Sequence, residues 1–96
     1  MYSVKLEKFE GPLDLLHTLI ESKKLEITEI SLAQVADQFL SYLKGSSRLA
    51  MEDLANFLNV AGRLALIKSR ALLPFLRLTE DEEKDIQTLK EQLSEY

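Results

Sequence analysis

The 96-residue sequence has no cysteine and no tryptophan, a single histidine, three glycines and two prolines. Without cysteine there is no disulfide framework and no thiolate-held metal, and nothing points to an oxidising compartment. Three scattered glycines cannot build a phosphate-cradling loop. No apolar run approaches the roughly 20 residues of a membrane span, and the first residues lack the basic, apolar and small-residue segments of a secretory leader. A cytoplasmic protein with no membrane partner is expected. Cations are also outnumbered: 12 Lys and Arg against 16 Asp and Glu give a net charge of −4 and a pI of about 5.0. That balance argues against a domain built to neutralise nucleic-acid phosphates, so DNA is expected only as an indirect partner.

Hydrophobic residues make up 46% of the chain, enough for one small domain. At this length such a domain buries only roughly 60–65% of its unfolded surface, which leaves room for help from a partner. Residues 2–8, YSVKLEK, place Tyr2, Val4 and Leu6 on one side and Ser3, Lys5 and Glu7 on the other, the period-two pattern of a half-buried strand. Leu25-Glu26-Ile27-Thr28 is the only comparable run. Either the two pair, which is the favoured reading, or the first strand waits for an edge on another chain. In FEGP, Pro12 suits the first position of a helix and Gly11 gives a tight corner before it. A first helix is predicted over 12–22, with Leu13, Leu16 and Ile20 on one stripe joined by Leu15 and Leu19.

Ser31 and Gln34 have capping-box spacing, with Ile30 and Val35 in staple positions, so a second helix is predicted from about Leu32 to Lys44, ahead of Gly45. A long third helix is predicted from Met51 to Leu73, because Pro74 disfavours helical geometry just before it. Glu52, Asn56, Asn59, Arg63 and Arg70 form one narrow polar stripe on this helix. Its apolar residues cover more than one face, more than two preceding short helices can bury. Gly62 sits mid-helix at a cost of roughly 0.5–1 kcal/mol relative to alanine. Either it permits a tight crossing or the helix is soft until docked. Beyond Pro74, Thr79 and Glu82 form another capping box, and Ile86, Leu89 and Leu93 a thin stripe, so a loosely held terminal helix is expected. The helical pattern is still running at Tyr96, as in a piece of a longer protein. The expected fold is mainly α: a small helical bundle with a short N-terminal β-strand and one long third helix.

Catalytic chemistry finds little footing. His17 follows Asp14 by three residues, the spacing of a base and its orienting acid, but no nucleophile accompanies them and a structural or solvent-facing histidine is the better reading. Glu80-Asp81-Glu82-Glu83 lacks the alternating ligands and turn glycine of a calcium loop and fits a helix N-terminus instead. Arg48, Arg63, Lys68, Arg70 and Arg77 form the one basic region. With no aromatics interleaved to stack on bases, it reads as a solvated face.

Three stretches are similar to one known family: FEGPLDLL at 9–16, the Leu25-Glu26-Ile27 turn leading to ISLAQVADQFLSYL at 30–43, and LANFLNVAGRLALIKSRALLP at 54–74. Together they resemble the N-terminal domain of segregation and condensation protein A, the kleisin subunit of the bacterial SMC complex, over about residues 2–74. The resemblance implies a helical domain, here 1–74, that packs its long helix on the neck coiled coil adjoining one SMC ATPase head. Residues 75–96 would form the connector and the start of the middle segment leading to the region that binds a ScpB dimer. The implied function is that of a non-enzymatic adaptor in chromosome condensation and segregation, cytoplasmic and nucleoid-associated. No cofactor or metal of its own is expected, since ATP belongs to SMC.

Carried over by position, the neck-binding residues are Phe57, Leu58, Ala61, Leu64, Ala65, Lys68 and Leu72, with the second helix beside them. Each also has a core reading. Two rivals stand next to the adaptor: a self-associating module whose surplus helix face pairs with its own copy, and a DNA-binding helical domain.

Overall fold

Pro12, which has no N–H to satisfy, begins the first of four helices in the computed structural model, which describes residues 9–45 and 51–96. They are α1 (Pro12–Ser22), α2 (Glu29–Gly45), α3 (Met51–Leu72) and α4 (Glu80–Glu95). Asp14, in the first turn of α1, accepts the N–H of Glu10 at 3.0 Å. Gly11 is extended, with open space where a Cβ would lie, so neither packing nor backbone demands glycine there.

The expected strand is corrected by the α1–α2 connection. Leu25 donates its N–H to Ile20 O at 3.0 Å and Lys24 to Glu21 O at 3.0 Å, with Lys24 left-handed at φ 57. This is a Schellman closure with a lysine where glycine is usual. Thr28 donates its N–H to Glu26 O at 3.0 Å and its carbonyl accepts from Leu32 at 2.9 Å. The N–H groups of Leu25 and Thr28 and the carbonyls of Glu26 and Thr28 are thus bonded within the turn and to the flanking helices rather than to a strand. Among the described residues the fold is four helices with no strand. The strand expected over 2–8 lies outside the described residues.

The start of α2 also moves. Thr28, not Ser31, caps it: the Thr28 hydroxyl accepts the N–H of Ser31 at 3.1 Å, and the helix begins at Glu29. The staple position shifts with it, to Ile27, which packs against the core, whereas Ile30 is 69% exposed. At the far end of the chain, Thr79 and Glu82 form the predicted capping box, at 3.1 and 2.9 Å.

One core is shared by all four helices, with Leu16, Leu32, Phe39, Phe57, Leu64, Ile67, Ile86, Leu89 and Leu93 fully buried. The α4 stripe is thus wholly inside, and α4 is part of the bundle rather than an appendage. Helices α2 and α3 run antiparallel, as cross-links from Tyr42 to Phe57, Asp37 to Lys68 and Glu29 to Arg70 establish. The Phe9 ring meets the edge of Tyr42, centroids 5.4 Å apart, and thereby ties the FEGP corner to α2.

Candidate functional site

Advancing about 100° per residue, α3 shows four unlike sides. Phe57, Val60, Ala61, Leu64 and Ile67 are buried in the core. Towards α4 lies much of the predicted polar stripe: Arg63 stands 3.8 Å from Asp85, and Arg70 bonds Glu83. Next to α2, Lys68 donates to Asp37 at 2.7 Å.

The remaining arc faces solvent and bears no charge. It comprises Met51, Ala55, Leu58, Gly62, Ala65, Ser69 and Leu72, in alternating steps of four and three residues. Met51, Leu58 and Leu72 are 82%, 53% and 69% exposed. A mean step of about 3.5 residues is the period of a coiled-coil seam, and a helix of this length carries it over about 33 Å. Leu73 and Phe75 prolong the exposed apolar surface beyond the helix end, and the Glu29–Arg70 bond brings exposed Ile30 to that same end.

The seven residues expected at the neck therefore divide. Leu58, Ala65 and Leu72 lie on the exposed seam; Phe57, Ala61 and Leu64 lie in the core; Lys68 sits at the border, bonded to Asp37. Met51, Ala55, Gly62 and Ser69 complete the seam and were not singled out for binding, since the core stripe through Phe57, Ala61 and Leu64 repeats at the same four-three steps. Nothing lies within 4 Å of the position a Gly62 Cβ would take. Among the described residues no tight crossing accounts for this glycine.

Several charges elsewhere are paired within the chain. Glu29 accepts from Arg70 at 2.9 Å and Lys90 at 3.4 Å. Partial burial pushes its pKa up, but the two cations outweigh this and hold it below its ordinary value. Of the basic region, Arg63, Lys68 and Arg70 are paired, Arg77 is exposed, and Arg48 lies outside the described residues. A groove of about 670 Å³ between α1, α3 and the end of α4 is lined by Glu10, Asp14, Asp53, Asn56, Asn59 and Arg63 among others. It assembles no nucleophile with a base. His17 lies 3.7 Å from Glu21, and Asp14 is engaged with Glu10. Among the described residues no group of three His, Cys, Asp or Glu is placed to hold a metal. No described helix is long and apolar enough to cross a membrane.

Among the described residues the chain is a four-helix bundle whose α3 keeps one uncharged side exposed. The chain belongs to the family described as segregation and condensation protein ScpA, whose model matches residues 19–96. It is similar to segregation and condensation protein A of Halothermothrix orenii, 38% identical over 96 residues, all of this chain and 40% of the relative. It is also similar to that of Caldanaerobacter subterraneus subsp. tengcongensis, 40% identical over 97% of this chain and 38% of the relative. The protein of Streptococcus pyogenes serotype M1 is 39% identical over 97% of this chain and 40% of its own length. The chain thus spans about two fifths of these relatives. No solved structure matches it.

Proposed function

We propose that this chain is the docking module of a kleisin adaptor for chromosome condensation and segregation, and that it lays the exposed seam of α3 along the neck coiled coil of an SMC ATPase. The observation that carries this reading is the uncharged four-three stripe of Met51, Leu58 and Leu72 left open to water. A helix with that seam buries it best against another helix of the same period, crossing at roughly 20°. The module does no chemistry: it marks one neck and so makes a symmetric ATPase dimer asymmetric. Residues 75–96, with α4 held in the bundle by Ile86, Leu89 and Leu93, lead the chain on towards ScpB.

Family membership and the helical fold support this role, and the internal pairing of Arg63, Lys68 and Arg70 leaves DNA as an indirect partner. The test is calorimetric titration of the chain with an SMC head that carries a length of its neck. Tight binding, lost on Leu58→Glu, is expected. Absence of binding, together with a concentration-dependent dimer in sedimentation, would favour self-association through the same seam.

A further inference from the structure

We draw no further inference here: the strongest candidate, the exposed uncharged side of α3 from Met51 to Leu72, belongs to the docking reading already proposed, and nothing in the structure shows what covers it.

Discussion

Arg70 in the last turn of α3 donates to Glu29 in the first turn of α2 at 2.9 Å, and a second N–H of the same guanidinium reaches Glu83 in the first turn of α4. One side chain thus joins the starts of two helices to the end of a third, and each carboxylate also sits at the favourable end of its helix dipole. Because these groups are partly exposed, each pair contributes at most about 1 kcal/mol. Arg70→Met should lower stability by about 1 kcal/mol in urea unfolding, and about 1 M salt should shrink the difference.

Glu29 adds a pH signature. Arg70 and Lys90 depress its pKa in the folded chain, so its contribution is fully present above the ordinary carboxylate range and is lost as pH falls through the depressed value. Melting temperature followed from about pH 6 to pH 3 should therefore fall more steeply for wild type than for Glu29→Gln. Parallel curves would mean that the Glu29 contacts contribute nothing in solution.

Lys24 adopts a left-handed conformation in the Schellman closure of α1, which costs a non-glycine residue roughly 1 kcal/mol. Lys24→Gly is expected to stabilise the chain by at most about 0.5 kcal/mol after the greater freedom of glycine in the unfolded state is counted. Chemical denaturation of the two forms measures this directly, and a destabilised Lys24→Gly would place the turn elsewhere.

Two hydroxyls compete to cap α2. Thr28→Ala should cost about 1 kcal/mol through loss of the bond to the Ser31 N–H. Ser31→Ala removes a buried hydroxyl whose one bond is accepted from Thr28 and leaves the cap itself in place, so it should cost less. The reverse order of unfolding midpoints would restore the start at Leu32.

Most helix limits were legible because each has a local chemical cause: Pro12 at the start of α1, Pro74 after α3, and Thr79 with Glu82 at the start of α4. The stretch from Lys23 to Ser31 was misread for equally local reasons. A lysine in the left-handed position gives no glycine signal, and Thr28-x-x-Ser31 overlaps Ser31-x-x-Gln34, so burial decided between them: Ile27 turns to the core and Ile30 to solvent. The surplus apolar surface of α3 was also legible, but not which residues compose it. Phe57, Ala61 and Leu64 could be told from Leu58, Ala65 and Leu72 only once α2 and α4 had taken their sides of the helix.

The direct test of the docking claim compares Leu58→Glu with Leu64→Glu in titrations against an SMC head carrying its neck. Leu64 is 0% exposed, and a charge there is expected to unfold the chain, with loss of its helical circular dichroism. Leu58→Glu should keep the helical spectrum and melting temperature of wild type yet weaken binding by at least about thirtyfold, the effect of losing a central interface anchor. A folded Leu58→Glu chain that binds the neck as wild type does would contradict the assignment of the α3 seam as the docking face.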